Sequence, residues 1–120
     1  MDDEYASLGK SGTNYSTDKS FESRYLGQTI GKDKETTYKT YWETYKASVP
    51  KNIKAWIQAG TADKNVPYTQ GKNLAERLSG VIGSENVKFG LIEGAAHMDA
   101  AFYTEDNLNA IFDFLESALK

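Results

Sequence analysis

Two short apolar segments separated by an amphipathic stretch constrain the fold of this chain more than any other feature. Residues 53–58 and 87–92 each have the length and the apolar content of a buried strand. Between them, apolar residues recur at helical spacing toward Gly83, namely Leu74, Ala75, Leu78, Val81 and Ile82. A strand, a helix and a second strand form a right-handed βαβ unit, so we expect the two strands to pair in parallel.

Helical spacing also appears on both sides of this unit. An aromatic stripe precedes Pro50 at i, i+3, i+4 and i+7, comprising Tyr38, Tyr41, Trp42 and Tyr45. We expect these rings to pack a short helix onto a core, and the alternative is that some of them line a substrate pocket. Near the carboxyl end, Thr104, Glu105 and Asp106 suit a helix N-terminus. The apolar face predicted for that last helix comprises Leu108, Ile111, Phe112, Leu115 and Leu119.

The amino-terminal segment has a different composition. Residues 1–20 are rich in Ser, Thr, Gly and charged residues and contain few apolar anchors, which predicts a loop or a poorly ordered arm. Residues 21–120 then hold all the predicted elements. Two parallel strands make a poor sheet alone because their outer edges expose unpaired backbone groups, so we expect this α/β segment to be part of a larger sheet.

The charge balance excludes several partner classes. The 120 residues carry 14 basic and 17 acidic side chains, for a net charge of −3, and the lysines are interspersed with carboxylates. We therefore expect neither nucleic acid nor a membrane surface as a partner. The chain lacks cysteine, so thiolate metal sites are excluded and the redox environment leaves its localisation open.

Two polar residues follow the predicted strands where functional side chains gather in an open parallel sheet. Asp63 lies in the turn after residues 53–58, and His97, the single histidine, lies in the turn after residues 87–92. A carboxylate bonded to one imidazole nitrogen fixes the tautomer, which leaves the other nitrogen free to accept a proton from a nucleophile. The alternative is that both residues only cap helices or satisfy loop backbone.

Three stretches resemble one known family. Residues 23–27 read Ser-Arg-Tyr-Leu-Gly, residues 60–67 read Gly-Thr-Ala-Asp-Lys-Asn-Val-Pro with Gln70 beyond, and residues 93–99 read Glu-Gly-Ala-Ala-His-Met-Asp with Phe102 beyond. From about residue 21 to the end, the sequence resembles the C-terminal part of an α/β-hydrolase, especially bacterial esterases and lipases related to feruloyl and acetylxylan esterases. One departure is Ala59-Gly60-Thr61 where those enzymes have His-Gly-Asp.

The resemblance implies a partial α/β-hydrolase fold and a role for the two polar residues. Asp63 would be the acid and His97 the base of a catalytic triad that cleaves a small-molecule carboxylic ester without a cofactor. The Gly-x-Ser-x-Gly elbow that carries the serine of these enzymes does not occur in the 120 residues. We therefore expect the serine and the oxyanion hole upstream of this chain, and an inactive isolated chain. Asp99 is expected to bond loop backbone or to seat His97, and Met98 and Tyr103 are expected to pack.

Two other hypotheses remain open at this stage. The first is a non-catalytic fragment that associates with a second copy through the exposed edge of residues 53–58. Asp63, His97 and Asp99 together could in principle hold a divalent ion, although a single histidine without cysteine makes a poor ligand set, and we predict no metal.

Overall fold

A computed structural model describes residues 34–120 of the chain, with side chains from residue 40 onward. The predicted arm at residues 1–20 and the Tyr-Leu-Gly segment at residues 23–27 lie outside the described residues. The side chain of Tyr38 lies outside them as well. The chain divides after Val49 into two compact units, and the second unit, Pro50–Lys120, contains the strands.

The predicted aromatic helix is present in the first unit. Helix α1 spans Lys34–Tyr45 and continues into a short 3-10 turn at Lys46–Ser48. The rings of Tyr41 and Tyr45 stack with their centroids 5.8 Å apart, as expected for aromatic residues one helical turn apart. Tyr45 is nevertheless 59% exposed within the chain, so its ring is only partly covered.

The second unit is built on the predicted pair of parallel strands. Strand β1 spans Ala55–Gly60 and strand β2 spans Val87–Ile92, with Ala55 opposite Val87 and Gly60 opposite Ile92. Strand β1 begins and ends two residues later than predicted, because pairing begins only where β2 begins. Beyond the strand, the Thr61 amide donates to the Ile92 carbonyl at 3.1 Å and extends the ladder into the loop. The predicted extent of β2 is confirmed.

Helix α2, Tyr68–Ile82, connects the strands and packs on one face of the sheet. At Gly71 the helix backbone approaches the side chains of the sheet closely: a Cβ there would lie 3.3 Å from Ile57 Cγ2 and 3.4 Å from a ring carbon of Phe89. Ala75 and Ile82 are buried, as predicted, but Leu74 is 45% exposed. The prediction for Leu74 was wrong because Gly71, Ala75 and Ile82 already define the covered stripe, and Leu74 lies beside it.

Helix α3, Glu105–Leu119, packs on the opposite face. Trp56 and Ile57 are neighbours on β1, so their side chains point to opposite faces of the sheet. On its face, the Trp56 ring contacts the ring of Phe114 edge to face, with the centroids 5.3 Å apart. The predicted apolar face was therefore rotated from the real one: Phe112, Leu115 and Leu119 are 61%, 47% and 87% exposed. Leu108 and Ile111 are half-buried, as is Phe114, which was not predicted.

Across residues 34–120, no helix combines the length and apolarity needed to cross a bilayer.

Candidate functional site

The loop after β1 presents Asp63 with one carboxylate oxygen already occupied. Asp63 Oδ1 accepts hydrogen bonds from the amides of Asn65 and Val66, both at 2.8 Å, which is an Asx turn that fixes the side chain on its own loop. The Asp63 amide in turn donates to the Gly60 carbonyl at 3.2 Å. This turn leaves Oδ2 as the oxygen available to a partner on the neighbouring loop.

The two loops are tied together by backbone. The Ala62 amide donates to the Ala95 carbonyl at 3.0 Å, and the Gly94 amide donates to Thr61 Oγ1 at 2.8 Å. A Cβ at Gly60 would collide with the Ala95 carbonyl, so only glycine permits this approach. Ala95 is 2% exposed, which makes it one of the most buried side chains of the unit. These contacts set the separation between the loop of Asp63 and the loop of His97.

The loop after β2 is shaped by Asp99. Asp99 Oδ2 accepts from the Ala96 amide at 3.0 Å and Oδ1 accepts from the Ala101 amide at 2.9 Å, so the carboxylate bridges the backbone on both sides of His97. The bond from Ala101, followed by that from Ala96, lowers the pKa of Asp99 below its ordinary value. Asp99 therefore bonds loop backbone, as the sequence predicted. Between His97 and Asp99, Met98 adopts a left-handed conformation with φ of +53°.

The predicted contact between Asp63 and His97 is present. His97 Nδ1 lies 2.9 Å from Asp63 Oδ2, and the two side chains are 39% and 11% exposed, respectively. An ionised carboxylate only accepts hydrogen bonds, so Nδ1 carries a hydrogen in this contact, and in a neutral imidazole Nε2 is then the basic nitrogen. Burial would raise the pKa of Asp63, but hydrogen bonds from Val66, His97 and Asn65 outweigh it and lower that pKa.

An apolar cavity of about 460 Å³ lies against this pair. Both Asp63 and His97 line it, and Met98 and Tyr103 form part of its wall. Met98 and Tyr103 are 73% and 63% exposed, so the prediction that they pack is wrong: Met98 stands at a left-handed turn, and Tyr103 ends a short 3-10 turn. The other lining residues are Gln58, Ala59, Val66, Pro67, Gly71, Phe102, Leu108 and Ile111.

The serines of the described chain lie elsewhere. Ser79 is inside α2, and its Oγ donates to the Ala75 carbonyl at 2.8 Å. Ser117 Oγ on α3 donates to the Phe114 carbonyl at 3.0 Å. Ser48 and Ser84 belong to 3-10 turns. None of these four is part of a Gly-x-Ser-x-Gly segment.

The carboxylates near His97 do not form a metal-binding group. Among residues 34–120, no three His, Asp or Glu side chains are arranged to hold a metal ion. Each oxygen of Asp99 already accepts a hydrogen bond from a backbone amide of its own loop.

Sequence reasoning missed two amide side chains near the site. Gln58 on β1 and Asn107 on α3 bond each other reciprocally, and Gln58 also lines the cavity. A signal was present in each case. Gln58 is the one polar residue between Ala55 and Gly60, and Asn107 stands three residues after the helix cap at Thr104.

Comparison with known families identifies one match. Residues 10–120 match the prolyl oligopeptidase family, whose members are serine hydrolases of the α/β-hydrolase fold. The parallel strand pair with helices on both faces agrees with a partial α/β-hydrolase fold. No curated protein and no solved structure matches the sequence.

Proposed function

This chain belongs to the prolyl oligopeptidase family, and we propose that it supplies the acid and the base of a serine hydrolase that cleaves carboxylic esters. The observation that carries the proposal is the 2.9 Å hydrogen bond between His97 Nδ1 and Asp63 Oδ2. Supporting it, Asp63 is held by two amides of its own loop, so the carboxylate keeps its place while the imidazole gains and loses a proton.

The proposed reaction is acyl transfer. His97 Nε2 takes the proton of a serine hydroxyl from a segment outside residues 1–120 while the serine oxygen attacks the ester carbonyl. The imidazolium, stabilised by Asp63, then gives that proton to the departing alkoxide. A water molecule releases the acyl group by the same proton transfers in reverse. The apolar wall formed by Val66, Met98 and Phe102 favours an uncharged substrate group beside the reacting carbonyl.

The experiment uses a chain extended upstream to include a Gly-x-Ser-x-Gly segment. It should hydrolyse an aryl acetate, and His97→Ala should lower turnover by about 10⁶ while circular dichroism shows an unchanged fold. The 120-residue chain should neither turn over the ester nor react with a serine-directed phosphonate. Full activity of the extended enzyme without His97 would refute the proposal.

Peptide-bond hydrolysis is a second candidate, favoured by the family match. The same proton transfers serve an amide, with the leaving amine taking the proton from His97. Assaying the extended enzyme on a proline p-nitroanilide peptide and on an aryl acetate separates the two. Ester hydrolysis without peptide hydrolysis would support the esterase assignment, and the reverse preference would replace it.

Self-association is a third, non-catalytic role open to the chain. In the described residues, β1 is paired only with β2, so its outer edge presents backbone groups that a second copy can extend. Analytical ultracentrifugation over a range of concentrations tests this. A mass of one chain at every concentration would count against edge pairing.

A further inference from the structure

Gln58 and Asn107 join the sheet to the first turn of α3 through a reciprocal pair of hydrogen bonds. Gln58 Nε2 donates to Asn107 Oδ1 at 2.7 Å, and Asn107 Nδ2 donates to Gln58 Oε1 at 3.0 Å. Both side chains are half-buried. Asn107 Nδ2 makes a further bond to the Phe102 carbonyl at 2.7 Å, which ties the pair to the loop before α3.

The Phe102 carbonyl gives this amide pair a single orientation. A carbonyl oxygen only accepts, so the Asn107 nitrogen must point toward it. Once Asn107 is fixed, Gln58 must present its oxygen to the same nitrogen and its own nitrogen to Asn107 Oδ1. Every hydrogen bond of the pair therefore depends on the others, and loss of one partner leaves several polar atoms unpaired.

The bond to Phe102 acts on the segment that carries His97. Phe102 lies in the 3-10 turn Ala100–Tyr103, which Asp99 caps at its start. Asp99 also holds the Ala96 amide immediately before His97. The chain from His97 to α3 is thus held at one end by Asp99 and at the other end by Asn107.

We propose that Gln58 and Asn107 form a positioning pair that holds the His97 loop at the correct distance from Asp63. Gln58 belongs to β1, the strand that also leads into the loop of Asp63. The same strand therefore sets the positions of both the Asp63 loop and, through the amide pair, the His97 loop. The pair does not touch the reacting atoms; it acts through Phe102. This inference rests on the proposed role of His97 as the base.

Because His97 is the single histidine, its imidazole can be observed alone in the ¹⁵N-labelled 120-residue chain. A long-range ¹H–¹⁵N spectrum at about pH 8, where an ordinary imidazole is neutral, gives the ratio of the Nδ1–H to the Nε2–H tautomer. Asn107→Leu should lower this ratio about three- to tenfold, the equivalent of one net hydrogen bond. Asp63→Asn removes the carboxylate that His97 Nδ1 bonds, so its tautomer ratio serves as the reference for complete loss of that partner.

Two matched controls separate positioning from general destabilisation. Asn109→Leu makes the same exchange at an exposed position on α3 and should leave the tautomer ratio unchanged. Phe114→Leu weakens the packing of the same helix against Trp56 without touching the amide pair, so it should lower stability alone.

Failure of the positioning proposal can be distinguished from failure of the proposed function. A folded Asn107→Leu chain with the wild-type ratio, beside an altered ratio in Asp63→Asn, would overturn the positioning pair alone. If Asn107→Leu does not fold, Gln58→Met decides in the same way: a lowered ratio supports the pair, and a wild-type ratio overturns it. An unchanged ratio in Asp63→Asn would contradict the proposed function itself and the positioning role with it.

Discussion

The Nδ1 atom of His97 lies 2.9 Å from Oδ2 of Asp63, although the two residues follow different strands of the sheet. The loops carrying them are joined by backbone bonds, such as that from Ala62 to Ala95 at 3.0 Å. The contact is therefore a consequence of the parallel pairing of β1 and β2 and of the close approach at Gly60. Its chemical meaning rests on which ring nitrogen is left to act as the base.

Replacing the acid tests the proposed division of labour. In an extended, active enzyme, Asp63→Asn should reduce turnover by about 10⁴, because an amide favours the wrong imidazole tautomer while preserving shape. Steady-state kinetics with an aryl acetate measures the loss. Asp113→Asn makes the same exchange at an exposed position on α3 and should leave turnover unchanged. Equal losses from both variants would remove the special role of Asp63.

The two carboxylates of the site give the chain an acid-sensitive stability. The pKa values of both Asp63 and Asp99 are lowered in the folded chain, so each stabilises the fold above its unfolded pKa of about 3.9. That stabilisation is lost as pH falls through the lower, folded-state pKa. We predict a melting temperature that drops below about pH 4.

Asp99→Asn should weaken the dependence of the melting temperature on pH. A side-chain amide does not titrate, and it has one acceptor oxygen for the two backbone donors Ala96 and Ala101. Thermal melts followed by circular dichroism should show the largest difference from wild type above about pH 5 and a shrinking difference below about pH 4. A difference that grew toward low pH would contradict the lowered pKa of Asp99.

Two glycines provide opposite tests of loop packing. Gly60→Ala should destabilise the unit by about 1–3 kcal/mol, because the new Cβ collides with the Ala95 carbonyl. Gly80→Ala within α2 meets no atom within 4 Å and should stabilise the helix by about 0.5–1 kcal/mol. Urea unfolding gives both values. A harmless alanine at position 60 would mean that the two loops are not in close contact.

Two phenylalanines on α3 test which side of the helix is buried. Phe114→Ala should cost about 2 kcal/mol, less than a fully buried ring, because Phe114 is half-buried against Trp56. Phe112 is 61% exposed, and Phe112→Ala should change the free energy of unfolding by about 0.5 kcal/mol or less. A larger loss of stability from Phe112→Ala than from Phe114→Ala would instead support the apolar face predicted from the sequence.

Helical and strand periodicity predicted the order of elements because the pattern depends on local geometry. The parallel pair, the ends of β2 and the contact of Asp63 with His97 followed from that order. The rotation of α3 did not, because Phe112 and Phe114 are equally apolar in sequence and only the position of Trp56 selects one. The bond between Gln58 and Asn107 joins residues 49 apart in sequence, so no local pattern pairs the two, although each stands out within its own segment.

The most direct test of the central claim is the protonation pattern of the imidazole in the unmodified chain. A ¹H–¹⁵N spectrum of the sole histidine, at about pH 8, reports which ring nitrogen carries the hydrogen. The hydrogen bond to Asp63 predicts a low-field proton on Nδ1 and a proton-free Nε2. A hydrogen predominantly on Nε2, unaffected by Asp63→Asn, would contradict the account.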